Sequence, residues 1–250
     1  SSITRIHFAV MDDALLAEQA AYYRARAAEY DDWWYRRHEA DFGPAFAEAW
    51  WRDVDELRTV FDEFAPRGDV LELAAGTGIW TGELLRFADR VTAVDASAET
   101  LAINRGKHGD DRVEYLRADL FSFTPPRRFD VVFFSFWISH VPPGSFTGFW
   151  SLVADALAPG GRVFFLDGAR PAHVTAHGPD ARRHRTAAET IDGTAVGGVT
   201  ERQLRDGSRF QVVKRYWEPS ALEAELAALG WNARVGETTW AFMHGEASRR

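Results

Sequence analysis

The chain has no cysteine, which excludes a disulfide framework, a thiolate zinc site and a cysteine nucleophile. It also has no run approaching the roughly 20 apolar residues that a bilayer-spanning helix requires. Its N-terminus lacks the basic segment followed by an apolar one that directs secretion. Net positive charge is missing as well. The formal charge is −8 and the pI about 5.5, which disfavours a general nucleic-acid binder with its basic footprint. These absences read as a soluble, cytoplasmic protein with neither a membrane nor a nucleic-acid partner. Charge is nevertheless uneven. The first 66 residues carry 14 acids against 7 arginines, whereas the stretch from Gly168 to Trp217 is modestly basic.

At 250 residues and 46% hydrophobic content, the chain can bury one full α/β core with decorations. From Asp12 to about Phe64 the pattern is helical and rich in aromatics, broken at Phe42 to Pro44, with Pro44 suited to a helix's first turn. Beyond Pro66-Arg67-Gly68, strand-like runs alternate with helical ones. The strands fall at Asp69–Leu73, Arg90–Val94, Arg112–Leu116, Phe129–Ser135 and Gly161–Leu166; the helices at Ile79–Ala88, Ala96–Arg105 and Ser145–Leu157. This alternation predicts right-handed βαβ units and a mostly parallel sheet covered on both faces. Gly168 to Asp206 shows no period and reads as an insertion. A strand at Arg209–Trp217, a helix at Pro219–Leu229 and a last strand at Trp231–Met243 follow, the last closing the sheet antiparallel.

The stretch Val70 to Trp80, VLELAAGTGIW, is a buried-type strand that breaks into small residues before a helix. Ala74, Ala75, Gly76 and Gly78 let the backbone turn tightly and approach a ligand closely. Glu72 would repel a pyrophosphate but suits a ligand bearing an ammonium group. Asp95, about 20 residues on, can accept both hydroxyls of a ribose, although Asp95-Ala96-Ser97 also reads as a helix N-cap. Asp119 follows the third strand and can serve a ligand or simply a solvated loop. The glycine spacing departs from G-x-G-x-x-G, which weakens a nicotinamide or flavin reading.

These motifs resemble the class I S-adenosylmethionine-dependent methyltransferases. VLELAAGTGIW, VTAVDAS, RADLF, FDVVFFSFWISHVP and LAPGGRVFFLD follow one another as that family's motifs do. The helical segment around YYRARAAEYDDWW is similar to the cap of its small-molecule members. The resemblance implies a Rossmann-like, doubly wound, seven-stranded and mostly parallel sheet with an antiparallel last strand. An N-terminal helical cap (1–66) would precede a core (67–250) carrying the insertion at about 168–208.

It further implies S-adenosylmethionine as cofactor. Glu72 would hold the methionyl ammonium and the Ala74–Gly78 backbone would pass close by. Asp95, with Ala96 beside it, would bind the ribose, and Asp119, Leu120 and Phe121 the adenine. Ser135 would line the methionyl side, with Tyr22 and Tyr30 closing over it. The implied acceptor is small, aromatic or lipophilic, and methylated on oxygen or nitrogen rather than carbon.

His140 is the candidate general base, though a histidine at a strand end also serves to bond backbone. Tyr23, Trp33, Trp137 and Arg182 are candidate acceptor contacts; most of the aromatic rings also suit helix packing, and Arg182 with Arg183, His184 and Arg185 also suits a solvated loop. The Asp-Asn pair of metal-dependent catechol methyltransferases is absent, since Gly168 follows Asp167, and no metal is expected. A monomer or a homodimer fits equally. Two other readings stay open from the residues: a nicotinamide-dependent oxidoreductase, and a non-catalytic cofactor-binding protein of the same fold.

Overall fold

A long N-terminal helix, α1 (Ser2–Trp34), lies across one end of a central sheet and is followed after a short 3-10 turn (His38–Ala40) by α2 (Pro44–Phe64). The computed structural model describes residues 2–169, 190–191 and 195–250. Pro44 occupies the first turn of α2, where its missing N–H has no intrahelical partner to lose. Trp50, Val54, Leu57, Phe61 and Phe64 recur at helical spacing and are buried along one face of α2. Each buried side chain of this kind stabilises by roughly 1.5–3 kcal/mol. That face covers one side of the sheet.

The core alternates β1 (Gly68–Leu73), α3 (Ile79–Leu84), β2 (Ala88–Asp95), α4 (Ala98–His108), β3 (Val113–Arg117), β4 (Phe129–Ser135), α5 (Phe146–Ala156) and β5 (Leu157–Gly168). Two more strands close it, β9 (Trp231–Glu237) and β10 (Phe242–Arg249), after α6 (Pro219–Ala228). The seven strands run in the order β3-β2-β1-β4-β5-β10-β9, and β10 is antiparallel to both of its neighbours. The expected doubly wound sheet with an antiparallel last strand is therefore present. The two-residue period of the strands sends Leu71, Leu73, Val132, Phe134, Val163 and Phe165 into one apolar layer. Val70, Val131, Phe133, Phe164 and Leu166 go into the opposite layer with α2. The central strands are thus buried on both sides, as their near-continuous apolar runs predict.

Two expectations about strands need correction. Arg209–Trp217 does form a strand, β8, but it belongs to a second sheet. There it pairs antiparallel with β7 (Ala195–Gln203), which in turn pairs with β6 (Thr190–Ile191). The segment read as an irregular insertion therefore contributes a regular strand beneath α1. The expected single strand Trp231–Met243 is two strands, because buried Asp53 of α2 pins the intervening turn. Its carboxylate accepts hydrogen bonds from the Thr238 hydroxyl (2.7 Å), Trp240 N–H (2.9 Å) and Ala241 N–H (2.8 Å). Among the described residues, no helix is long and apolar enough to cross a membrane, and no group of three or more His, Asp or Glu is placed to hold a metal ion.

Candidate active site

The C-terminal ends of β1, β2, β3 and β4 converge, as ligand-binding strand ends do in open α/β sheets. Leaving β1, the chain turns through Ala74 (φ +54°), Gly76 (φ +54°) and Gly78 (φ +86°) before α3 begins. A Cβ on Gly78 would meet the Asn104 amide oxygen at 2.4 Å, so that position tolerates only glycine. Ala74 holds a left-handed conformation at a cost of roughly 1–2 kcal/mol. Asp95 braces the turn from β2. One of its oxygens accepts from Gly76 N–H (2.9 Å), the other from Ser97 N–H (2.9 Å) and the Thr100 hydroxyl (3.0 Å). The N-cap of α4 is Ser97, whose hydroxyl oxygen accepts from Thr100 N–H (3.1 Å). Burial raises the Asp95 carboxyl despite these bonds.

Beneath the turn lies Glu72, 1% exposed. Its Oε2 accepts from the Thr81 hydroxyl (2.6 Å), and that hydroxyl in turn accepts from the Asn104 amide (2.8 Å). Its Oε1 is buried without a partner among the described residues. Burial pushes the Glu72 carboxyl up to about 8, the Thr81 bond opposing and the Asp95 charge adding to the shift. Farther along the strand ends, exposed Asp119 accepts from Phe121 N–H (3.0 Å), Leu120 is buried in the core, and the Phe121 ring lies 5.5 Å from that of Trp137.

A cavity of about 510 Å³ opens between α1, the exit of β4 and β8; Tyr23, Arg26, Tyr30, Phe136, His140 and Lys214 are among its lining residues. His140, on a 3-10 turn (Ile138–His140), is 6% exposed. Its Nδ1 faces the Val213 carbonyl, which can only accept, so the ring carries its proton there. Nε2 is then the acceptor for the Tyr23 hydroxyl (2.7 Å). Burial, and then the Lys214 charge, hold the imidazole well below its ordinary pKa. The Lys214 ammonium donates to the Ser139 hydroxyl (2.7 Å) and to Asp167 (3.2 Å).

A second, smaller cleft is lined by Ala74, Gly76, Thr77 and Ser135, and it shares Tyr30 and Phe136 with the cavity. These two rings form the wall at which the compartments meet. Phe136 adopts φ +51°, and its N–H donates to the Leu166 carbonyl (2.8 Å). Such strain in a non-glycine residue persists only where the surroundings enforce it. Asp31 fastens α1 over the glycine turn. One of its oxygens accepts from the Thr77 hydroxyl (2.6 Å) and the other meets the Lys107 ammonium (2.6 Å).

A methyltransferase-domain family model matches residues 70–161. The solved structure of DhpI in complex with S-adenosylhomocysteine resembles nearly the whole molecule. Identity is 39% and the TM-score 0.69, over 94% of this chain and 97% of that one. The chain belongs to the class I S-adenosylmethionine-dependent methyltransferases. The DhpI–SAM–HEP complex gives a similar match, at 38% identity and a TM-score of 0.71. Ubiquinone biosynthesis O-methyltransferase of Pseudoalteromonas translucida is 30% identical over 139 residues, 48% of this chain and 58% of that protein. The ribosomal RNA large subunit methyltransferase E of Treponema denticola is 31% identical over 93 residues, 36% of this chain and 43% of that protein. The chain thus aligns with well under two thirds of these curated relatives.

In this methyltransferase the structure gathers Glu72, Ala74, Gly76, Gly78, Asp95 and Ser135 around one turn, with Tyr30 facing them across the shared wall. Ala96 is exposed behind Asp95. Tyr22 lines the larger cavity and packs with Leu204 and Val212; it does not line the cleft at the glycine turn. Trp33 and Tyr23 line the cavity, whereas Trp137 packs beside Phe121 and Phe149 and is not among the cavity residues. Arg182, with its neighbours, lies outside the described residues. Arg26, Asp31, Thr81, Phe136 and Lys214 were not singled out from the sequence. Phe136 alone carried a local signal, as the first residue past a strand that ends in the motif FFSFWISH.

Proposed function

We propose that the protein transfers the methyl group of S-adenosylmethionine to an oxygen or nitrogen atom of a small acceptor held in the cavity beneath α1. The observation that carries this reading is Glu72 Oε1, a buried carboxyl oxygen with no partner among the described residues, at the end of the strand that leads into a turn of small residues. Such an atom is costly to bury unless a ligand supplies the missing donor. A methionyl ammonium supplies that donor together with a compensating charge. Asp95 keeps one lone pair, on Oδ2, for a ribose hydroxyl, and the Ala74–Gly78 backbone gives the close approach the amino-acid portion needs. When bound, the cofactor supplies an electrophilic methyl group on a sulfonium.

The chain's contribution is then mainly positioning and exclusion of water. Tyr30 and Phe136 border both compartments and Ser135 lines the cleft beside them, so a methyl group presented from the cleft faces the cavity across these two rings. His140 acts through Tyr23: its proton on Nδ1 is fixed by Val213, so Nε2 orients the tyrosine hydroxyl into the cavity's wall. Titration calorimetry with S-adenosylmethionine and S-adenosylhomocysteine tests the reading. Saturable binding that weakens at least about tenfold in Asp95→Ala, as the loss of charge-assisted hydrogen bonds would cause, supports it. No heat with either compound overturns it.

A further inference from the structure

The larger cavity has a cation that no carboxylate among the described residues neutralises. Arg26, half-buried on α1, has its guanidinium carbon 5.6 Å from the Tyr22 ring centre, 5.1 Å from that of Tyr30 and 5.6 Å from that of Trp33, with a side-chain hydrogen bond to Tyr22. Among the described residues no carboxylate pairs with it. Its closest titratable neighbours are the hydroxyls of Tyr22, Tyr30 and Tyr23, which are uncharged near neutral pH. A guanidinium cannot escape desolvation by losing its proton, so its placement here favours an anion brought in from outside.

The carboxylates nearby are engaged elsewhere. Asp167 accepts from Lys214, Ser139 N–H and Gly168 N–H. At the more exposed rim, Asp32 and Glu39 both hold Arg205, and Glu29 accepts from the Arg205 N–H. Among the described lining residues, six arginines and lysines face three carboxylates.

Among the described residues, the same wall offers no free base. Both nitrogens of His140 are engaged, and the Tyr23 and Tyr30 hydroxyls are pushed up by burial. An acceptor that needed deprotonation would find no partner here, whereas one that arrives as an oxyanion needs none.

We propose that the acceptor is a small molecule with a terminal oxyanion, a carboxylate or a phosphate-type group, seated against Arg26 and methylated on that oxygen. The proposal rests on the methyl-transfer reading. An oxygen lone pair forms the new O–CH3 bond while the S–CH3 bond breaks, and that electron pair stays on sulfur as a neutral thioether. The negative charge on oxygen and the positive charge on sulfur disappear together, and no proton or external oxidant takes part. A carboxylate ester is neutral and a phosphate-type ester carries one negative charge fewer, so the attraction to Arg26 weakens as the product forms, which promotes its release.

Calorimetry in the presence of saturating S-adenosylhomocysteine provides the test, with benzoate and phenyl phosphate compared against benzamide and benzyl alcohol. The oxyanions should bind at least about tenfold more tightly than the neutral probes. Arg26→Met should abolish the difference and Arg26→Lys restore part of it, with circular dichroism and Tm confirming the fold. The ratio of benzoate to phenyl phosphate affinity tells which oxyanion geometry the cavity prefers. Equal affinity for charged and neutral probes, or no binding of either, overturns the proposal. So does an Arg26→Met protein that keeps its oxyanion preference but loses affinity for S-adenosylhomocysteine, since the arginine would then serve the cofactor's own carboxylate. Because the cofactor titration is run first on the wild type, failure of the methyl-transfer reading is seen separately.

Discussion

Glu72, the residue proposed to hold the cofactor's ammonium, is a liability to the free protein. Its carboxyl is ionised in an unfolded chain above about 4.5 but stays protonated in the fold up to about 8. Between those values the unfolded state gives up a proton that the folded state keeps, so stability falls as pH rises through that window and levels off above it. Glu72→Gln removes this slope. Thermal unfolding should show the variant losing less Tm than the wild type between about pH 5 and 8, while its affinity for S-adenosylmethionine falls roughly 10- to 100-fold, the cost of a charged hydrogen bond. A cofactor ammonium favours the ionised form, so wild-type binding near neutral pH should release a proton. Calorimetry in buffers of different ionisation enthalpy reads this directly.

His140 has the opposite sign. Its neutral form is favoured by burial and by Lys214, so its contribution to stability is lost as pH falls below the ordinary imidazole value of about 6.5. Once an acceptor is known, the methyl-transfer rate should show no ascending limb near that value. A limb that vanished in Tyr23→Phe would instead make the His140–Tyr23 pair a working base.

At the level of elements, the short α/β units could be read from the chain because each carries its own signal: an apolar run, a breaker, a helical period. The strand ends carried Glu72, Asp95 and Asp119 for the same reason, since each sits within a few residues of the pattern that identifies its strand. The hairpin of β9 and β10 lacked such a signal. Thr238, Thr239 and Trp240 have strand-forming side chains with no glycine or proline among them, and the break is imposed by Asp53, 185 residues away from Thr238 in sequence. Asp53→Ala should leave two backbone N–H groups and one hydroxyl without their acceptor and destabilise the protein by about 3 kcal/mol in urea unfolding.

Sheet membership was similarly illegible. β8 looks like any other strand, and only its pairing with β7 and its position under α1 remove it from the central sheet. Arg26 and Lys214 share the difficulty, since they meet in the cavity from a helix and a strand remote from each other in the chain. Seen alone, each resembles an ordinary solvated charge.

At the scale of the whole molecule, α1 joins parts that the rest of the chain leaves separate. Asp31 ties it to Thr77 and Lys107 at the nucleotide side. The Gln19 amide donates to the His140 carbonyl (3.2 Å) and accepts from Val213 N–H (2.9 Å). Glu18 accepts from Gln211 N–H (2.6 Å), and Glu29 and Asp32 reach Arg205. Asp31→Ala removes the attachment at the cofactor side alone. Stopped-flow displacement should show S-adenosylhomocysteine leaving about tenfold faster, as expected for losing one partly buried charged contact.

One helix therefore roofs two compartments. Any movement that admits a cofactor at Thr77 also disturbs Tyr23 and Arg26, and a bound acceptor weighs the same roof down. With cofactor and acceptor placed as proposed, the shared roof couples their exchange, and product-inhibition kinetics should show an ordered sequence of binding in place of a random one.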